Sequence, residues 1–269
     1  MLSQPGAFAA AATDVAAPHV KAQLVSEVAT VGPGQAFWVA LEFEIGEGWH
    51  TYWRNPGDSG KATTLQWQLP PGFMAGDIMW SAPQRFDIPP LVNYGYAVHA
   101  VHLVKITAPA SLQAGASIKL LAQANWLVCS DLCIPESAQL TLKLSASSTA
   151  GVANPAHVSL FDIARSELPR PQPAPVTLRI QAGQLIMTLA KDWGASLRQI
   201  TSLTFFPYDE GVIDYAAQQT MTRDSDVMEL SIRSGHRVAR MNFIRGVLLA
   251  TQSSHRGAIA VPIEISASR

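Results

Sequence analysis

Phe37-Trp38-Val39-Ala40-Leu41-Glu42-Phe43-Glu44-Ile45 alternates with a period of two. Phe37, Val39, Leu41, Phe43 and Ile45 point one way, and Trp38, Ala40, Glu42 and Glu44 point the other, which is the signature of a strand with one buried face. The same alternation is read in Leu65–Leu69, Val98–Ile106, Ile118–Val128 and Leu140–Leu144. Gly/Pro turn signals separate these runs, among them Asn55-Pro-Gly-Asp58, Pro70-Pro-Gly72 and Pro89-Pro90. Short strands at this spacing predict a β-sandwich. After Leu144 the pattern breaks. Asn154-Pro155 opens a short helix through about Leu168, and Pro169-Arg-Pro-Gln-Pro-Ala-Pro175 reads as a stiff spacer. Alternation resumes in Val176–Ile180, Leu185–Leu189, Leu203–Phe206, Met228–Ile232, Arg245–Thr251 and Ile259–Ile265. The expected fold is therefore all-β: two immunoglobulin-like β-sandwich domains in tandem, at 18–148 and 176–269. A Pro-rich linker with a short helix, 149–175, joins them. Residues 1–17 read as a signal remnant or disordered N-terminus, since Ala7-Phe8-Ala9 has small-residue character but no apolar core precedes it.

Composition narrows the function. The chain has 269 residues and is 48% hydrophobic, enough for a substantial core. Its 19 Lys+Arg balance 20 Asp+Glu, and without a basic cluster there is no footprint for nucleic acid. No apolar run approaches the roughly 20 residues that span a bilayer as a helix. Few lysines and many Ala, Gln, Ser and Thr favour an exported protein.

The 2 cysteines sit together in Cys129-Ser-Asp-Leu-Cys133. In one extended strand they would lie about 13 Å apart, whereas a disulfide needs Cα atoms about 4.4–6.8 Å apart. The chain must fold back between them. Ser130-Asp131-Leu132 suits a three-residue hairpin loop that sets the cysteines opposite each other on adjoining strands. So small a ring removes little unfolded-state entropy and makes a poor staple. Small exposed disulfides tend instead to be labile or catalytic. Asp131 between the sulfurs disfavours thiolates. Two alternatives stand beside exchange chemistry: a structural hairpin disulfide, and Cu(I) or Zn(II) binding, although no further ligand pair accompanies the thiols.

Elsewhere the chemistry is sparse. Tyr52, Trp53 and Arg54, with Trp49, form either a partner-docking surface or core packing at a strand end. His50, His99 and His102 lack convincing ligand spacing and read as surface or half-buried residues. Asp87, Asp209 and Asp214 show no acid/base partner.

Trp126-Leu-Val-Cys129-Ser-Asp-Leu-Cys133-Ile-Pro135-Glu136 resembles the active-site hairpin of the N-terminal periplasmic region of the DsbD/ScsB thiol-disulfide reductases, the ScsB-like, copper-tolerance-associated branch more closely. Gly48-Trp-His-Thr-Tyr-Trp-Arg-Asn-Pro-Gly-Asp-Ser-Gly60, Asn93-Tyr-Gly-Tyr96 and Phe205-Phe-Pro-Tyr-Asp-Glu-Gly-Val-Ile-Asp214 are similar to that family as well. The resemblance implies a periplasmic thiol:disulfide oxidoreductase module with Cys129 and Cys133 as its catalytic pair. No organic cofactor or metal is needed, because the electrons travel as thiols. The implied partners are a transmembrane thiol reductase domain and thioredoxin-like periplasmic proteins. A cap loop over the cysteines maps to Asn93, Tyr94, Gly95 and Tyr96, and partner docking to Tyr52, Trp53 and Trp126. The competing reading is a non-catalytic binding or copper-handling module that uses the same two thiols.

Overall fold

Thirteen consecutive pairs, from Ser117 opposite Ser145 to Cys129 opposite Cys133, make one long antiparallel hairpin. Along its first strand the even-numbered residues Ile118 to Val128 are buried, so the alternation in the sequence has become an inner and an outer face. The protein is described here by a computed structural model covering residues 15–16, 19–193, 199–225, 227–254 and 257–268. In chain order the strands run β1 (Val15–Ala16), β2 (Val20–Ser26), β3 (Thr30–Val31), β4 (Ala36–Ile45), β5 (His50–Gly57), β6 (Thr64–Gln68) and β7 (Met74–Met79). Then come β8 (Gln84–Ile88), β9 (Leu91–Ala97), β10 (His99–Thr107), β11 (Ser117–Cys129), β12 (Cys133–Ala146) and helix α1 (Val158–Ser166). The remainder is β13 (Arg170–Pro171), β14 (Val176–Gln181), β15 (Gln184–Leu189), β16 (Ile200–Pro207), β17 (Thr220–Asp224), β18 (Val227–Arg233), β19 (Phe243–Ser254) and β20 (Gly257–Ser268).

Neither of the two compact units is a continuous stretch of chain. The first gathers Met1–Thr51, Thr63–Trp80 and Tyr96–Ser166; the second gathers Tyr52–Ala62, Ser81–Gly95 and Glu167–Arg269. The segments 52–62 and 81–95, read from sequence as parts of the 18–148 domain, thus count with the second unit.

In the first unit one sheet runs β1-β2-β4-β10-β7. The other is built on β3-β12-β11, with β6 beside β11 and the start of β5 joined to β11. Phe37, Val39, Leu41 and Phe43 of β4 are buried as the alternation predicts. Phe43 meets Trp126 of β11, ring centroids 4.9 Å apart, so apolar faces of the two sheets pack as in a sandwich. In the second unit β5, β9 and β8 are neighbours, and two four-stranded sheets follow, β13-β20-β19-β16 and β14-β15-β18-β17. All six strands expected after residue 175 are present.

Three expectations change. The short helix expected after Asn154-Pro155 forms as α1, and because it buries Phe161 and Ala164 the chain is predominantly β rather than all-β. The stretch 149–175 is not a free spacer. Ala29 donates to the Val152 carbonyl at 2.8 Å, Asn154 donates to that of Glu27 at 2.7 Å, and Arg165 pairs with Glu27 at 2.7 Å. Further on, Arg170 and Pro171 pair in parallel with Ile263 and Glu264 of β20. Backbone groups left by the irregular sequence find partners on the two units rather than in water. Finally, Val15–Ala16, inside the expected disordered N-terminus, pair with β2; the rest of that expectation, 1–14 and 17, lies outside the described residues.

Candidate functional site

The β11–β12 ladder delivers Cys129 and Cys133 to its closed end as an opposed pair, the residues between them forming the turn, where Ser130 donates to the Leu132 carbonyl at 3.1 Å. The two sulfurs are bonded, S–S 2.02 Å with Cα atoms 4.2 Å apart. Their surroundings differ sharply. Cys129 is 1% exposed, while Cys133 is exposed. The topology gives the reason. Cys129 lies on β11 between β12 and β5, where its ladder partner on the second side is His50. Among the described residues β12 has only β3 on its far side, and β3 reaches no further than Ser145 and Ala146. Cys133 therefore stands on an edge, two residues before Pro135, which offers no backbone donor there. Leu132 beside it is 73% exposed at the tip.

Beneath the hairpin, on the opposite face, Trp126 and Glu136 are cross-strand partners. The Trp126 Nε1–H donates to Glu136 Oε2 at 3.1 Å, and the His19 backbone N–H and Nδ1 reach Glu136 Oε1 at 3.2 and 2.8 Å. The His19 ring in turn stacks against Trp49, centroids 3.8 Å apart. A buried carboxylate this well supplied with partners anchors the hairpin base to the start of β2 and to the turn before β5. His50 is buried, and burial lowers its pKa below the ordinary value.

The other expected site residues lie elsewhere. Asn93, Tyr94, Gly95 and Tyr96 do not form a loop; they belong to strand β9, paired with β8, and are buried. Their sequence shows no alternation because both faces are covered. Tyr94 packs edge-on against Phe206 and Tyr215 at 4.9 and 5.4 Å, and Asn93 Oδ1 accepts from the Ser59 hydroxyl at 3.0 Å. Tyr96 meets His102 at 5.3 Å. Tyr52, Trp53 and Trp126, candidates for docking, are buried as well, which leaves their rings no surface to offer a partner. Trp53 lies against Phe206 and Tyr208. Gly60, at φ +109°, lies so close to the Tyr52 ring that a Cβ there would meet it at 2.1 Å. Of His50, His99 and His102 only His99 is exposed, paired with Glu42 at 2.9 Å; His50 and His102 are buried rather than at the surface or half-buried. Sequence reasoning missed His50 as a neighbour of the disulfide. Only the β5–β11 register brings them together, and no local pattern encodes it.

Among the described residues, no group of three or more His, Cys, Asp and Glu side chains is arranged to hold a metal ion. What the hairpin offers is a reducible bond with one reachable sulfur and one shielded one.

Residues 19–145 match the family described as "Thiol:disulfide interchange protein DsbD, N-terminal". The chain is thus DsbD_N-like across its cysteine hairpin. The crystal structure of the N-terminal periplasmic domain of ScsB from Proteus mirabilis superposes with a TM-score of 0.63 at 17% identity, covering 95% of this chain and 98% of that one. That likeness establishes a shared fold. The periplasmic chaperone SfaE (10% identity, covering 91% of this chain and 100% of that one) and Spo0M from Bacillus subtilis (8%, covering 93% and 91%) reach TM-scores of only 0.25 and carry no argument. No curated protein matches the sequence.

Proposed function

We propose that this DsbD_N-like, ScsB-like chain is a periplasmic thiol-disulfide exchange module, a thiol:disulfide oxidoreductase working through Cys129 and Cys133. The observation that carries the reading is the asymmetry of the pair: a disulfide at a hairpin end with Cys133 exposed on an edge and Cys129 enclosed. Exchange needs a sulfur that an incoming thiolate can approach in line with the S–S bond, and a second sulfur that leaves. In the charging direction a donor thiolate attacks the Cys133 sulfur, the Cys129–Cys133 bond breaks, and its electron pair goes to Cys129. A second donor thiol then resolves the mixed disulfide and frees both cysteines. In the delivering direction the Cys133 thiolate attacks a partner's disulfide, and Cys129 displaces the partner's thiol while re-forming the intramolecular bond. Two electrons pass at each stage, and no organic cofactor is required.

The donor in this reading is a membrane-embedded thiol reductase domain, and the acceptors are thioredoxin-like periplasmic proteins. The first unit is read as immunoglobulin-like, and the second as a spacer or docking element. The experiment is trapping with single variants. Cys129→Ser is expected to accumulate mixed disulfides through Cys133, and Cys133→Ser to accumulate far fewer. Equal trapping by both variants, or by neither, overturns the assignment.

A further inference from the structure

His50 and Cys129 are directly opposed in the β5–β11 register. Opposed residues on neighbouring antiparallel strands project to the same face with Cβ atoms about 4.5–5.5 Å apart, within reach for an imidazole and a sulfur. Three side chains thus follow one another across a single face: Cys133 on the exposed edge strand, Cys129 enclosed at the centre, and His50 beyond it. Resting on the exchange reading above, we propose that His50 is the general base for Cys129, taking its thiol proton as the pair re-forms its disulfide.

The chemistry of the enclosed position calls for such a group. Burial disfavours a thiolate, so the Cys129 thiol will not ionise readily by itself. Only the thiolate attacks a disulfide. In the resolving step the Cys129 thiol gives its proton to the neutral His50 ring, and its sulfur attacks Cys133. The bond between Cys133 and the partner's sulfur breaks, and the electron pair leaves with the partner as a thiolate. The imidazolium then returns its proton to that thiolate or to solvent. In the charging direction the sequence reverses, and the imidazolium protonates the Cys129 thiolate as the disulfide opens.

The environment keeps His50 in the basic form this role needs. Burial lowers its pKa, so the ring is neutral around pH 7. On the shared face β11 presents Cys129, and β12 presents Cys133 beyond it. Asp131 belongs to the exposed turn. Glu136 and His19 occupy the other face of the hairpin, and β9, the strand on the far side of β5, carries Tyr94 and Tyr96 as its titratable residues.

The test uses the fully reduced whole chain with excess 5,5′-dithiobis(2-nitrobenzoate) in stopped flow. The first thionitrobenzoate released reports attack by Cys133, and the second reports resolution by Cys129. In His50→Gln the first phase should keep its rate while the second slows about 10²-fold, within the usual span for a general base. The wild-type second phase should decline as pH falls through the His50 pKa, below about 6.5. In the variant the second phase should instead follow the thiol's own alkaline ionisation. An unchanged second phase and pH profile in a folded His50→Gln overturn the role of His50 and leave the exchange reading intact. Release of only one equivalent by wild type overturns the exchange reading itself. If His50→Gln does not fold, the wild-type profile decides: a second phase rising log-linearly with pH from 5 to 8, without the inflection, rejects the base.

Discussion

His102 is fully buried on β10, its ring facing Trp80, Tyr96 and Phe43 at centroid separations of 4.9, 5.3 and 5.6 Å. Burial pushes its pKa down to about 4 from an ordinary 6.5. The unfolded chain therefore binds the proton that the folded chain refuses, and stability falls as pH drops from 6.5 toward 4. Between pH 7 and 5 this one group should remove about 2 kcal/mol of unfolding free energy. Urea denaturation at the two pH values measures it, and His102→Leu should flatten the difference. His50 contributes with the same sign. Sequence alone set His99 and His102 on opposite faces of one strand, which the structure bears out. It could not rank them, because exposure depends on what covers each face.

The disulfide closes a hairpin that thirteen opposed pairs already define. Its ring is too short to restrict the unfolded chain by much. The Cys129→Ser/Cys133→Ser double variant should therefore fold cooperatively and lose no more than about 1–2 kcal/mol, read by denaturant titration under matched conditions. Tyr94 should behave in the opposite way. It is fully buried on β9 against Phe206 and Tyr215, and burial raises its phenol pKa. Tyr94→Ala should cost about 3–5 kcal/mol, the range for deleting a large buried ring, whereas a surface cap would give almost nothing. Strands such as β4 and β11 were legible because one face is wet and the other dry. β5 and β9 were not, because both of their faces are covered and no alternation survives. Asn55-Pro56 was read as a turn yet lies inside β5. There the Asn55 amide donates to the Pro207 carbonyl at 2.8 Å and its oxygen accepts from Tyr215 Oη–H at 3.3 Å, partners about 150 positions away that no local pattern announces.

At the scale of the whole molecule, units assembled from separated segments change what a fragment can be. Residues 52–62 and 81–95 fill the second unit, where Trp53 and Tyr94 pack on Phe206 and Arg85 donates to the Tyr215 carbonyl at 2.6 Å. A fragment 19–166 carries the whole cysteine hairpin but leaves Tyr52, Trp53 and Tyr94 without the core they belong to. It should bind a hydrophobic dye strongly and unfold without a sharp transition, while the full chain does neither; calorimetry and dye fluorescence compare them. The match over residues 19–145 marks out a stretch of sequence, and that stretch does not coincide with a unit that packs by itself.

The interleaving also sets an order of events during synthesis. Tyr52, Trp53 and Tyr94 leave the ribosome more than a hundred residues before Phe206 and Tyr215 exist. At about 5–20 residues per second, those aromatic side chains spend roughly 5–30 s without their eventual neighbours. Nascent chains should stay vulnerable to protease and dependent on holding factors through that interval, until β16 has emerged.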